Sequence, residues 1–233
     1  MTHLRIVGDV HGWTDRYTRE ILSDEVQYSI QIGDLGFQYE DLNRLPYKRH
    51  KFFGGNHDNY DIYYKSPHSL GDFGAFNLGK LSFYFIRGAY SIDHKGRMKA
   101  ERRGHPKCWW KEEQLPLPKR YEAFEDYVSR KPRTMLTHTC PTEIAKLIGN
   151  PKVLESFGFN PNKFTTPTQE LLQQCFDKHR PEVWIFGHFH KDLTFYHKDT
   201  LFICLREAHK LGYIDIDSKG KFNHNGFQGR LGQ

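Results

Sequence analysis

The chain has 233 residues, 37% of them hydrophobic, with a net charge of +6 and a sequence pI near 9.0. No apolar run approaches the ~18 residues a membrane-spanning helix needs, and the four cysteines (Cys108, Cys140, Cys175, Cys204) are scattered, without Cys-x-x-Cys spacing. That excludes an integral helical membrane protein, a disulfide-stapled scaffold and a cysteine zinc site, and predicts free thiols in a reducing, cytoplasmic setting. The length suits one α/β domain over 1–233 with a full core. The positive charge suits an anionic partner such as a nucleotide, nucleic acid or phosphorylated molecule, or serves solubility alone.

In chain order, Leu4-Arg5-Ile6-Val7 reads as a strand, so no signal peptide is expected at this end. Trp13, Tyr17 and Ile21 recur every four residues, with Leu22 beside them, and predict an amphipathic helix. Tyr28 to Ile32 and Lys51-Phe52-Phe53 are further strands, with a short helix over 40–50 interrupted near Pro46. This β-α-β-α-β order predicts a parallel sheet with right-handed crossovers. Leu81 to Ile86 is a strand, and the basic stretch 93–110 reads as a long loop. Tyr121, Phe124 and Val128 mark a helix, and Thr134-Met135-Leu136 a strand. Residues 149–166 show little periodicity; their Phe157, Phe159 and Phe164 are expected to cover the sheet as aromatic core rather than to form a lid that stacks a base. Thr166-Pro167-Thr168-Gln169 offers an N-cap, a first-turn proline and a capping-box glutamine to a helix with Leu171, Leu172, Cys175 and Phe176 on one face. Val183 to Phe186 is a strand, residues 193–205 a hairpin across Lys198-Asp199 without the favoured Asn-Gly, and Tyr213 to Asp217 the last strand before a tail expected to fray.

Five of these strands stop at residues with oxygen or nitrogen ligands: Gly8-Asp9-Val10-His11, Gly33-Asp34, Gly55-Asn56-His57-Asp58, Thr137-His138 and Gly187-His188-Phe189-His190. If extension persists beyond the last strand, the period of two points His188 and His190 the same way. A lone Gly-Asp is usually a turn, and a lone His-x-His is more often packing than ligation. Five such stretches at strand ends have no turn-only explanation. Asp9, His11, Asp34, Asn56, His138, His188 and His190 form a mixed nitrogen and oxygen set suited to Mn²⁺, Fe²⁺, Zn²⁺ or Ni²⁺ rather than Ca²⁺ or Mg²⁺. Seven groups are too many for one tetrahedral ion and suit two ions sharing a bridge. In open α/β sheets, sites of this kind lie beyond the carboxyl ends of the strands.

Together these stretches resemble the motifs of the calcineurin-like metallophosphoesterases, in order, over residues 8 to 190. The resemblance implies a four-layer α/β/β/α sandwich, two mixed sheets flanked by helices, with two divalent ions at the sheet edges. It implies that Asp9, His11 and His190 hold one ion and Asn56, His138 and His188 the other, with Asp34 bridging. Asp58 then orients His57 or its loop. The protein Ser/Thr phosphatases of the superfamily extend the second motif to Gly-Asp-x-x-Asp-Arg-Gly; here Phe37 and Gln38 take the places of the second aspartate and the arginine, which disfavours that branch and leaves His57 without its orienting partner. Gly88-Ala89-Tyr90-Ser91-Ile92-Asp93, Trp109-Trp110 and Glu112-Glu113 look like a stretch of the prokaryotic and phage members.

The implied activity is hydrolysis of phosphate mono- or diesters, on nucleotide or nucleic-acid substrates, with Mn²⁺ the first choice of metal. Ions roughly 3.5–4 Å apart lower the pKa of a bridging water, whose hydroxide attacks phosphorus in line. His57 would protonate the leaving oxygen, its alternative being a structural role. Arg97 and Arg103, in the basic stretch, are candidates to grip phosphate, or else part of a solvated loop. The rival readings are a protein or small-metabolite phosphatase and a scaffold with a degenerate site; no ligand of the set is missing.

Overall fold

The computed structural model describes residues 3–210 and 212–231. In chain order its elements are β1 (Leu4–Val7), α1 (Thr14–Ser23), β2 (Tyr28–Gln31), β3 (His50–Phe52), α2 (Tyr60–Tyr63), β4 (Phe73–Leu78), β5 (Leu81–Ile86), α3 (His94–Glu101), α4 (Leu117–Arg130) and β6 (Thr134–Thr137). They continue with α5 (Thr142–Ile148), α6 (Pro151–Ser156), α7 (Pro167–Lys178), β7 (Val183–Phe186), β8 (Leu193–His197), β9 (Thr200–Cys204), β10 (Tyr213–Ile216), β11 (Lys221–His224) and β12 (Phe227–Arg230). The strands form two six-stranded mixed sheets, in the orders β12-β11-β10-β1-β2-β3 and β4-β5-β6-β7-β9-β8. β1, β2 and β3 are parallel, as the β-α-β order predicts, and so are β5, β6, β7 and β9.

The pleat sorts side chains into layers. Leu4, Ile6 and Ile30 of one sheet meet Phe83, Phe85, Leu136, Ile185 and Ile203 of the other in one core between the sheets. Their alternates face outward. Val7 packs with Tyr17 and Ile21 of α1, while Tyr84, Met135, Trp184 and Phe202 pack with Tyr127 of α4 and Leu172 and Phe176 of α7. The result is the four-layer α/β/β/α sandwich. α7 begins as its sequence predicts, with the Thr166 hydroxyl accepting from the Gln169 N–H at 3.3 Å.

Several local expectations are corrected. Trp13 and Leu22 stand exposed, and α1 buries Thr14 and Thr18 beside Tyr17 and Ile21 instead. Residues 94–101 are helical rather than looped; α3 has no buried residue, so it lacks the apolar stripe that periodicity detects. Residues 149–166 contain α6, capped by the Asn150 side chain, and their three phenylalanines lie outside every core cluster. The edge strand β4, partly exposed and carrying Gly74, gave no sequence signal. The tail forms the β11–β12 hairpin across Asn225-Gly226, both at positive φ (51° and 81°), the conformation that Asn-Gly favours. Lys198 and Asp199 hold the same left-handed pair of conformations without that chemistry.

His50 supplies a pH test of the fold. It is buried, with Nδ1 2.9 Å from the Ser29 hydroxyl, and burial, helped by nearby His68, pushes its pKa down to about 4. A depressed histidine stabilises the fold above its unfolded pKa of about 6.5 and loses that contribution as pH falls towards the folded value. Urea unfolding at pH 7 and pH 5 should show wild type losing roughly 1–2 kcal/mol more than His50→Gln over that interval. Equal losses would contradict the assignment.

Candidate metal centre

The parallel strands β1, β2, β3, β6 and β7 of the two sheets deliver their carboxyl ends to one edge. Asp9 and His11 follow β1, Asp34 follows β2, Asn56 follows β3, His138 follows β6, and His188 and His190 follow β7. Asp9, His11 and His190 bring ligand atoms within 4.8 Å of one another, and so do Asp34, His138 and His188. A third group of the same tightness, His11, Asp34 and His57, lies between them. The Asp34 carboxylate joins the halves. Its Oδ1 is 3.1 Å from His138 Nε2, and its Oδ2 is 4.0 Å from His11 Nδ1. On the other side His190 Nε2 is 3.0 Å from Asp9 Oδ2 and 2.9 Å from His11 Nε2.

His188 and His190 do not share a direction. β7 ends at Phe186, and both histidines have left-handed backbone, at φ 66° and 53°. The turn sends His188 to Asp34 and His138, and His190 to Asp9 and His11. The glycines before the ligands provide space. A Cβ on Gly55 would stand 2.6 Å from His138 Cδ2 and against Asp34 Oδ1, and one on Gly187 would strike Asp9 Oδ1.

The second and third motifs are tied by Asp58. Its carboxylate accepts from the N–H groups of Asp34 (2.9 Å), Leu35 (3.0 Å), Gly36 (3.1 Å) and Gly55 (2.7 Å), and from the Tyr39 hydroxyl (3.3 Å). Asp58 thus orients the loops rather than the His57 ring. The His57 N–H donates to Asp34 Oδ1 at 2.7 Å, while Arg97 Nη2 donates to His57 Nε2 at 2.7 Å. Arg97 is held in turn by Asp93, 2.8 Å from its Nε, and by the Cys108 carbonyl. The orienting partner missing from the second motif therefore comes from α3. Burial first, and then Arg97 and His11 against the pull of Asp34, lower the pKa of His57.

The donor set fits divalent ions. Asn56 Oδ1 is buried without a hydrogen-bond partner, although buried polar atoms seldom go unpaired, and the buried Asp9 Oδ2 and His138 Nε2 face only other members of the donor set, His190 and Asp34. The His138 Nδ1–H donates to the Ile32 carbonyl at 3.0 Å, which leaves Nε2 as the nitrogen whose proton a cation would displace, the usual arrangement around a metal-bound imidazole. Behind His190, Glu207 lies 3.6 Å from Nδ1. Burial alone would raise the Asp34 carboxyl, but His138, His57 and His11 outweigh it and hold it well below the usual range. Burial would depress His138, yet Asp34 and Asp9 push it up to about 9; burial pushes His188 down to about 3.

A cavity of about 730 Å³ opens from Asp34, Asn56 and His188. Arg97 lines it; Arg103 does not, and is exposed near the end of α3. One wall comes from residues 149–166, whose Phe164 packs with Phe159 (ring centroids 4.7 Å) and with Tyr90 (6.3 Å). The sequence reading missed Ser91, Glu113 and Glu207 as neighbours of the site. Ser91 and Glu113 carried a signal, since both lie in the noted stretch from Gly88 to Glu113; Glu207 carried none.

A family model described as calcineurin-like phosphoesterase matches residues 3–192. No curated protein matches the chain. Solved structures of similar shape include a dimetal phosphatase from Danio rerio (11% identity, covering 95% of this chain and 92% of that one, TM-score 0.48). Others are a phosphopantetheinyl hydrolase from Mycobacterium tuberculosis (12%, 89% and 90%, 0.45) and an archaeal phosphodiesterase (13%, 98% and 99%, 0.42). At these identities and TM-scores the likenesses say nothing of substrate. With the family match spanning most of its length and a clustered set of side chains able to hold a metal ion at its strand ends, this chain belongs to the calcineurin-like phosphoesterases, metal-dependent hydrolases of phosphoric esters.

Proposed function

We propose that residues 1–233 act as one metallophosphoesterase domain holding two divalent transition-metal ions, Mn²⁺ the first candidate, and hydrolysing nucleotide or nucleic-acid phosphate esters. Asp9, His11 and His190 would hold one ion and Asn56, His138 and His188 the other. The observation that carries this reading is the Asp34 carboxylate, whose two oxygens face different histidine sets. When bound, the ions supply Lewis-acid polarisation of the phosphoryl oxygens and activation of water for in-line attack.

The chain's own residues do the rest. Arg97 is the arginine of the cavity wall and offers a fork for phosphate oxygens. As an anionic ester enters, its phosphate competes with His57 Nε2 for the Arg97 guanidinium. A negative group then stands beside the imidazole and offsets the guanidinium, which favours its protonated form. His57 Nε2 is thereby freed to carry a proton to the leaving oxygen. The rings of Tyr90 and Phe164 flank the space beyond and suit a flat leaving group such as a nucleoside. A reducing, cytoplasmic setting suits the four free cysteines, three of them buried. No helix among the described residues is long and apolar enough to cross a membrane.

The direct test is a panel assayed with Mn²⁺: nucleoside monophosphates, cyclic nucleotides, single-stranded DNA and RNA, simple alkyl phosphates and phosphopeptides. The expected result is a higher kcat/KM on nucleotidic esters than on alkyl phosphates of equal leaving-group pKa. A preference for phosphopeptides would overturn the substrate class.

A second measurement isolates His57. A p-nitrophenolate leaves without help, whereas a ribose alkoxide needs a proton as the bond breaks. His57→Gln should slow hydrolysis of nucleotide esters by ~10²–10⁴-fold, the range of general acid catalysis, and of p-nitrophenyl esters much less, with metal content unchanged. Equal losses on both esters would move His57 from proton transfer to phosphate binding.

A further inference from the structure

The stretch from Gly88 to Glu113 does more than wall the cavity. Glu113 is buried, at 1% exposure, and both its carboxylate oxygens accept from Ser91, Oε1 from the N–H at 2.9 Å and Oε2 from the hydroxyl at 2.7 Å, with the Trp109 indole also directed at the carboxylate. A serine hydroxyl has one proton, and here Glu113 takes it. The lone pairs of Ser91 Oγ then serve only as acceptors. Asn56 Nδ2 donates to that oxygen at 3.2 Å, and Asn56 Oδ1, at the other end of the amide, is buried without a partner.

We propose that Glu113 is a positioning residue that, through Ser91, fixes the Asn56 amide with its oxygen toward the metal centre. The inference rests on the reading of Asn56 as a ligand. The two ends of an amide are nearly the same in shape, so packing cannot choose between them; hydrogen-bond polarity can. Only the oxygen has a lone pair for an ion. Glu113 sets the direction of the whole chain of bonds: carboxylate accepting from hydroxyl, hydroxyl accepting from amide, amide oxygen left for the cation.

The polarity can be reversed without changing shape. Gln at position 113 has one acceptor and one donor end. The Ser91 N–H is fixed in the backbone and claims the acceptor. The new NH₂ then donates to Ser91 Oγ, whose own proton turns toward Asn56 and draws the amide oxygen away from the centre. Asp at position 56 restores the match, because a carboxylate can accept from the reversed hydroxyl with one oxygen and face the ion with the other. In the wild-type background Asn56→Asp instead sets an oxygen against the lone pairs of Ser91.

The test is Mn²⁺ binding to the metal-free protein by isothermal titration at pH 8. Burial pushes the Glu113 carboxyl up to about 7, so it is ionised there. Glu113→Gln should weaken one of the two Mn²⁺ equivalents ~10–100-fold, the usual size of such outer contacts. The double variant Glu113→Gln/Asn56→Asp should bind that equivalent at least tenfold more tightly than Glu113→Gln. Wild-type affinity in Glu113→Gln, or a double variant no better than the single, would overturn the proposal. Asn56→Ala separates the layers: if it keeps both equivalents, the ligand reading itself fails, whereas loss there with no loss in Glu113→Gln defeats only the relay. Should Glu113→Gln not fold, Ser91→Ala, which deletes the hydroxyl, must weaken the same equivalent, and unchanged affinity in it would overturn the proposal equally.

Discussion

Everything at this site depends on one buried carboxylate. Asp34 is 1% exposed and carries a charge that an unpaired burial would make costly. Its environment favours the charged form. The His57 N–H donates to one of its oxygens, three imidazoles surround it, and its own backbone N–H is held by Asp58. The two sheets meet around that group. β2 delivers Asp34, β3 delivers the loop that donates to it, and β6 and β7 of the other sheet deliver His138 and His188. The core between the sheets, built from the inward halves of β1, β2, β5, β6, β7 and β9, fixes the distance between those strand ends. Interiors are close-packed and yield little, so the spacing of the ligands follows from the packing of Ile6, Ile30, Leu136 and Ile185.

A second layer of control comes from the segment over residues 88–113. It reaches two neighbouring residues of the third motif by separate routes, Ser91 to Asn56 and Arg97 to His57. Both routes end on an acid of the same segment, Glu113 in one case and Asp93 in the other. This explains how the chain manages with Phe37 and Gln38 in the second motif. Phe37 packs against Trp110, with ring centroids 5.5 Å apart, and the polar contact to the His57 ring is supplied from α3.

What was legible in the sequence follows from what sequence patterns encode. Strand periodicity and the Gly-ligand punctuation located β1, β2, β3, β6 and β7, and the seven residues named from those punctuations come together at one edge. The helices with an apolar stripe were legible for the same reason. α3 was not, because it has no buried residue and so no apolar stripe; an i,i+4 pair between Asp93 and Arg97 spans its first turn. The 149–166 wall was misjudged because aromatic residues normally signal core, and a cavity lining has the same composition. The condition for His188 and His190 to point the same way is not met: alternation holds only while the backbone is extended, and the left-handed conformation of His188 ends that. The β11–β12 hairpin has its turn signal in Asn225-Gly226, but the polar, glycine-rich residues around it carry little strand periodicity. Of the two arginines, Arg97 lines the cavity and Arg103 does not, a difference of position along α3 that composition does not encode.

The central claim is that Asp34 stands between two cations. Crystals of the protein grown with Mn²⁺ and measured across the manganese absorption edge test it most directly. The account predicts two anomalous peaks roughly 3.5–4 Å apart, one beside Asp9, His11 and His190 and one beside Asn56, His138 and His188, with a different Asp34 oxygen on each. A single peak at full occupancy under saturating Mn²⁺, or two peaks of which only one touches Asp34, would contradict it.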